Sequence, residues 1–246
     1  MIRTIFVAVA IALFVLVAGP PLILYARVSG SVEALYHIGL RGVFLILRAA
    51  GMRLRVEGVE NIPRGACLFA ANHTSNVEPP AIMRAIPRRL GILAKKSIFS
   101  TPIVGMAFRM ARFVPVDREH PGQAMENIDV ATEYLKQGLS FLIYPEGTRS
   151  PDGRLLRFKG GGFALAIKAG VPVVPVACAG AHRILPRKSL RMRPGEVLVR
   201  FCPPIDAAAY TLERRGELAE RVHAAIAAAL PPDQRPLVRV SPQPAL

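Results

Sequence analysis

The sequence predicts an α/β layered domain preceded by an N-terminal, membrane-embedded helical pair. Three features predict it. An uncharged apolar run opens the chain, from Ile5 to Ala26. From Met52 onward, short apolar strands alternate with helical stretches, the order expected of layered α/β domains. Of the 246 residues 52% are hydrophobic, yet the formal net charge is +15. A basic surface on an apolar chain favours an anionic membrane as its partner.

The opening run follows Arg3 and ends at Arg27. It meets the length of about 20 apolar residues that a membrane-spanning helix needs. Pro20-Pro21 should break or kink it after Gly19. The part before the prolines would reach about 22 Å as a helix, short of a hydrocarbon core roughly 30 Å thick. A signal peptide is the competing reading. No clear small-x-small cleavage site follows the core, and the prolines sit where cleavage would fall, so an uncleaved anchor is favoured. Ser31 to Gly51 gives a second helical pattern interrupted by Arg41 and Arg48, suited to lying at the interface with its arginines among headgroups. Residues 1–50 therefore read as membrane-anchoring helices.

The α/β domain, 51–230, follows. Arg53–Glu57 alternates like a strand and 61–65 is a turn. Cys67–Ala71 is a buried strand, and 79–86 a helix opened by Pro79-Pro80. Gly91–Ala94 and Phe113–Val116 are short strands. Pro121–Gln137 is a helix, with Ala124, Ile128, Ala131 and Leu135 at spacings of three and four. Leu139–Tyr144 is a strand, Gly162–Ala169 a helix, Val171–Ala177 and Val197–Phe201 strands, and Thr211–Leu230 an alanine-rich helix. Residues 231–246 are proline-rich and read as disordered.

Composition narrows the partners. There is no Trp, with 5 Tyr and 11 Phe, so no aromatic platform for nucleic acid is evident. Cys67, Cys178 and Cys202 lie far apart in apolar runs and read as reduced core residues, with neither zinc spacing nor a disulfide framework.

Two strand-to-helix connections carry candidate chemistry. The first is Asn72-His73-Thr74-Ser75-Asn76-Val77-Glu78. It lies where α/β folds place reactive side chains, beyond the carboxyl end of a strand. A histidine with a carboxylate five residues on suits a general base oriented by an acid. The pair alone is weak, since a surface histidine and a capping glutamate give the same spacing. The second is Tyr144-Pro145-Glu146-Gly147-Thr148-Arg149-Ser150, also beyond a strand. Gly147 permits a tight turn and Arg149 offers a planar fork for phosphate; a plain polar turn is the alternative. Between them, Lys95, Lys96, Arg109, Arg112 and Arg118 could build an anion site beside the base. Arg84, Arg88 and Arg89 read instead as a solvated or membrane-facing surface. Arg183, Arg187, Lys188, Arg191 and Arg193 read as membrane-facing.

Taken together these motifs resemble the glycerophospholipid acyltransferase family, which includes the 1-acylglycerol-3-phosphate acyltransferases. Its first motif, Asn-His, four residues, then Asp, appears as Asn72-His73 through Glu78. The second is matched by Phe113-Val114-Pro115-Val116-Asp117-Arg118. The third, Phe-Pro-Glu-Gly-Thr-Arg-Ser, is Tyr144 through Ser150, and the fourth resembles Val171 through Val176. Phe158-Lys159-Gly160-Gly161 also matches a family stretch. The match spans roughly residues 60–180, in order. Glu78 stands where the family has Asp, one methylene further from the backbone, so the loop must adjust for the acid to reach the imidazole.

The resemblance implies a glycerol-3-phosphate acyltransferase-like fold, a mixed β-sheet flanked by helices. It implies transfer of a fatty acyl group from acyl-CoA or acyl carrier protein, as co-substrate, to the sn-2 hydroxyl of a 1-acylglycerol-3-phosphate. His73 would be the base and Glu78 its orienting acid. Arg118, Glu146, Gly147, Thr148 and Arg149, with Lys95 or Lys96, would hold the glycerol-phosphate end. Neither a cofactor, a metal nor a Ser or Cys nucleophile is required. The lysophospholipid acceptor and an anionic membrane surface are the expected partners, not nucleic acid. Cytosolic donors put the catalytic domain on the cytoplasmic side of the inner membrane. Another lysophospholipid, glycerol-3-phosphate or a lyso-aminolipid are rival acceptors. A non-catalytic membrane-binding homologue, with Glu78 as the lesion, is the rival class.

Overall fold

The computed structural model describes residues 1–116 and 121–237. The expected positions of Asp117, Arg118 and 238–246 lie outside the described residues. Two helices lead, α1 (Ile2–Ser29) and α2 (Glu33–Ala49). Then come β1 (Met52–Glu57), β2 (Leu68–Ala71), α3 (Glu78–Ala85), β3 (Leu90–Lys95), α4 (Pro102–Met110), β4 (Val114–Val116), α5 (Pro121–Lys136) and β5 (Ser140–Ile143). The chain continues through α6 (Ala164–Ala169), β6 (Val173–Ala179), α7 (Ala181–Ile184), β7 (Gly195–Phe201) and α8 (Arg215–Ala229).

The strands form one mixed sheet in the order β1-β7-β6-β2-β5-β3-β4. β6, β2, β5, β3 and β4 run parallel, while β7 pairs antiparallel with β6 and carries β1 parallel to itself. All four residues of β2 and of β5 are buried. Both faces of these strands are covered, which is why they read as unbroken apolar runs in the sequence. The side-chain alternation of β2 divides the core. Phe69 and Ala71 join Leu47, Ile82, Leu142 and Val176 on the side of α2 and α3. Leu68 and Ala70 join Phe141, Leu165, Leu218 and Val222 on the side of α5, α6 and α8. Because five strands are parallel, the loops after β2, β5, β3 and β6 emerge at one edge.

α1 is one helix of 28 residues that continues through Pro20 and Pro21, so of the expected break or kink the break does not occur. Two consecutive prolines remove two donors, leaving the carbonyls of Leu16 and Val17 without their intrahelical partners. Packing holds the helix here: a Cβ on Gly19 would lie 2.5 Å from Cγ2 of Ile103 in α4. Ile23 and Ala26 pack with Leu35, Ile103 and Met106. The rest of α1 leaves Ile5, Phe6, Val9, Leu13, Leu16 and Val17 exposed, and its length and composition suffice to cross a membrane.

Three further expectations change. α4 was hidden in the basic segment, although Thr101-Pro102 is a fair helix opening, with Pro102 in the first turn. Arg88 and Arg89 are not a free basic surface. Arg88 Nη1 donates to the carbonyls of Pro63 and Arg64 at 2.8 Å each, and Arg89 Nε to Glu33 at 3.0 Å. Long cationic side chains here tie loops together instead of facing a membrane. Residues 231–237 are not disordered: a short 3₁₀ turn at Pro232–Gln234 leaves Gln234 only 1% exposed. Proline-rich sequence is compatible with a packed strap when one buried side chain anchors it.

The sheet tolerates no side chain at Gly91, where a Cβ would fall 2.4 Å from the Phe141 ring. Gly91→Ala is expected to destabilise the protein by about 1–3 kcal/mol, the usual range for overpacking a core. Chemical denaturation of the purified variant measures it.

Candidate active site

The site begins with Asn72, the first residue past β2. Its Nδ2 donates to the Cys178 carbonyl at 2.9 Å, and its Oδ1 accepts the Cys178 N–H at 2.7 Å. A buried side chain thus extends the β2–β6 ladder beyond the strand and fixes where the next residue leaves the sheet. His73 follows, with its side chain 13% exposed. Ser75, fully buried, donates through Oγ to the Leu185 carbonyl at 2.8 Å, and the turn ends in the first residue of α3, Glu78.

The extra methylene of Glu78 does not prevent contact. Its Oε2 lies 2.8 Å from His73 Nδ1. The Thr74 N–H lies 2.9 Å from both carboxylate oxygens, and Thr74 Oγ1 donates to Oε1. The carboxyl group is completely buried, and a buried carboxylate must be met by donors. A carboxylate surrounded by N–H and O–H groups acts as acceptor only. The imidazole hydrogen is therefore assigned to Nδ1, which leaves Nε2 as the basic nitrogen. The start of α3 adds the favourable end of a helix dipole.

The second motif closes on the first. The His73 N–H donates to Glu146 Oε1 at 3.0 Å, and the Ser150 N–H donates to the His73 carbonyl at 2.7 Å. The Tyr144 ring stacks on the imidazole, with centroids 4.0 Å apart. Gly147 has φ +72°, and its N–H bonds the Tyr144 carbonyl at 3.0 Å in the tight turn that the sequence suggested. Arg187 Nη1 donates to the Arg149 carbonyl at 2.7 Å, so one member of the second basic cluster braces this loop. Among the described residues, no carboxylate pairs with the Arg149 guanidinium.

Burial sets the electrostatics. Glu146 is 3% exposed. Its carboxyl is pushed up to about 8, first by burial and then by the charge of Glu78, against the lowering effect of the His73 N–H. Among the described residues its Oε2 makes no hydrogen bond of ordinary geometry, although the nearby Leu156 N–H also lowers the carboxyl. Burial also raises the Tyr144 hydroxyl well above its usual range, with Glu78 adding to the effect. Among the described residues that hydroxyl, too, is enclosed without a partner.

The structure thus joins His73 and Glu78 to the loop that carries Gly147, Thr148 and Arg149, through contacts of Glu146 and Ser150 with His73. Lys95 ends β3 and Lys96 opens the next turn, both exposed at the same sheet edge but two strands from β2. Two contributors escaped the sequence reading as site residues. Asn72 acts through the backbone of β6, which only the sheet order reveals. Lys159 lays its side chain against the Gly147 turn, with Cε and Nζ about 3.4–3.5 Å from where a Cβ would stand. Its signal was the Phe-Lys-Gly-Gly stretch.

Comparison with known proteins agrees with this geometry. The acyltransferase family profile matches residues 53–179, from β1 to the end of β6, including both loops. The chain belongs to the acyltransferase family. It is 35% identical over 216 residues to the 1-acyl-sn-glycerol-3-phosphate acyltransferase of Cocos nucifera, covering 87% of this chain and 68% of that one. A Pseudomonas aeruginosa protein of the same name is 32% identical over 74% of this chain and 70% of its own. The crystal structure of the 1-acyl-sn-glycerophosphate (LPA) acyltransferase PlsC from Thermotoga maritima superposes with a TM-score of 0.77 at 27% identity, covering 92% of each chain.

Two substitutions test the electrostatics. Tyr144→Phe deletes an unpaired buried hydroxyl and keeps the stacked ring, so stability is expected to rise by about 1 kcal/mol. No rise in the thermal midpoint would contradict that account. Glu146 holds its proton up to about 8 when folded but releases it near 4.5 when exposed. Between those values the folded state binds more protons than the unfolded state, so Glu146 costs stability as pH rises through this window. Glu146→Gln is expected to flatten the fall in stability between about pH 5 and 8, read by denaturation at several pH values.

Proposed function

We propose that this protein transfers a fatty acyl group from an acyl thioester to the free sn-2 hydroxyl of 1-acyl-sn-glycerol-3-phosphate, giving phosphatidic acid. The observation that carries the reading is the His73–Glu78 contact at 2.8 Å, joined through His73 itself to the loop bearing Glu146 and Arg149. The names of the plant and bacterial relatives point to the same acceptor.

In this reading His73 Nε2 takes the proton of the acceptor hydroxyl as its oxygen attacks the thioester carbonyl. Glu78 holds the tautomer and stabilises the imidazolium that forms. The tetrahedral intermediate collapses, the C–S bond breaks, and the imidazolium returns the proton to the departing thiolate. Every proton is accounted for without a covalent acyl-enzyme. Arg149 and Thr148 meet the acceptor phosphate, with Arg149 supplying the bidentate fork. Lys95 and Lys96, at the end of β3, extend that anion site along the edge, and Arg118 is assigned to it by its motif alone. Glu146 braces the base by accepting the His73 N–H through Oε1, and Gly147 lets the backbone turn approach.

The donor is acyl-CoA or acyl carrier protein. The anchor is residues 1–50. The exposed apolar side of α1 lies in the bilayer, the basic surface meets anionic lipids, and the domain from residue 51 works on the cytoplasmic side of the inner membrane. This arrangement brings a bilayer-resident acceptor to a donor in solution.

Thiol release from a long-chain acyl-CoA, on adding 1-acylglycerol-3-phosphate in detergent, tests the reading. His73→Ala is expected to lower kcat/KM by about 10²–10⁴-fold while remaining folded. Equal release by both proteins would refute the role of His73. A preference for a phosphate-free acceptor in a panel of lysolipids would refute the lysophosphatidate assignment. Wild type inert towards CoA and carrier-protein donors alike would support a non-catalytic homologue.

A further inference from the structure

Residues 231–237 cross the far end of the loop that carries Arg149. Gln234, 1% exposed, spends its polar atoms on the backbone of two loops. Its Oε1 accepts the Gly180 N–H at 2.9 Å, and its main-chain oxygen accepts the Leu155 N–H at 2.9 Å. Its Nε2 lies 3.5 Å from the Gly153 carbonyl. Gly180 closes β6 and opens α7. Gly153 and Leu155 end the loop that begins at Gly147.

Exposed contacts flank this anchor. Arg154 Nη1 donates to the Arg235 carbonyl at 3.2 Å, and Arg183 pairs with Asp233. On the opposite side the His182 ring presses on Gly153, where a Cβ would lie 2.6 Å from the imidazole and φ is +85°. The loop is therefore held at four places: by the turn at Gly147, by Arg187 at the Arg149 carbonyl, by the Ser150–His73 bond in its middle, and by Gln234 at its end. With Gly147 and Gly153 both in the left-handed region, the loop has wide conformational freedom of its own. Fixing each residue costs about 1–2 kcal/mol. A loop ordered before the acceptor arrives spares the acceptor that cost on binding.

We infer that Gln234 is a positioning residue for the acceptor, acting through the loop that presents Thr148 and Arg149; this rests on the phosphate-binding role proposed for that loop. Gln234 does not touch His73 or Glu78. Loosening it acts on recognition of the acceptor and leaves the proton chemistry alone.

Steady-state kinetics of Gln234→Met decides this. Methionine keeps the bulk and removes the amide. Acceptor KM is expected to rise about tenfold, the scale of one or two lost hydrogen bonds. Donor KM and the pH profile of kcat stay as in wild type. Gln234→Glu, which keeps an acceptor for the Gly180 N–H, is expected to restore part of the acceptor KM. An unchanged acceptor KM, or a fall in kcat alone, would overturn the inference, because a purely structural role would only lower the active fraction. Should Gln234→Met not fold, the double variant Asp233→Ala, Arg154→Ala loosens the strap from its exposed side. A two- to threefold rise in acceptor KM is then expected, and no rise overturns the inference. Wild type inert on every acceptor removes the proposed function and the positioning role together. An active wild type with unchanged acceptor KM in the variants removes the positioning role alone.

Discussion

The burial of one carboxylate, Glu78, is the constraint on which the site depends. An ionised side chain with no exposure is tolerated only when donors surround it. Here they come from the adjacent Thr74 backbone and hydroxyl and from His73. Meeting that demand fixes the turn after β2, and the turn in turn fixes the imidazole. The same charge reaches further. It helps hold the proton on Glu146 and helps keep the Tyr144 hydroxyl neutral. One buried carboxylate therefore orients the base and adds to the burial that keeps the proton on its neighbour.

The turn cannot be placed by its own residues. Asn72 is clamped to Cys178 of β6 on one side, and Ser150 after β5 is bonded to the His73 carbonyl on the other. β2 lies between these two strands in the sheet. The central position of β2 thus gives His73 backbone support from both neighbours, and three connections remote in sequence converge on one edge. This is the general site of ligand binding in open α/β sheets, reached here with two added strands, β7 and β1, running the opposite way.

The excess of positive charge is divided between two uses. Arg88, Arg89, Arg183 and Arg187 are turned onto carbonyls or carboxylates of the chain and act as braces for loops. Arg149 has no carboxylate partner among the described residues, which fits the phosphate-binding role proposed for it. Net charge alone could not separate these classes, because an arginine beside a helix end and an arginine facing a phosphate look the same in a composition. The guanidinium fork serves both, since its planar donors match a pair of carbonyls as well as a phosphate.

Much of the molecule was legible in the sequence. Apolar runs such as Leu139–Tyr144 gave strands because burial on both faces requires it. The His73 and Tyr144 motifs fell at strand ends because glycine and proline mark where strands stop. What stayed hidden depended on contacts between distant segments. The helix through Pro20-Pro21 depends on α4 packing at Gly19, and α4 itself was masked by its charged surroundings. The order of residues by itself determined the strands, the helices and the chemical groups of the site, since these follow from local burial and backbone chemistry. Only the tertiary structure decided which of them meet. The reach of Glu78 to His73, the clamp of Asn72 on β6 and the strap at Gln234 each depend on backbone brought together by the sheet, and periodicity along one segment carries no trace of its neighbour across the sheet.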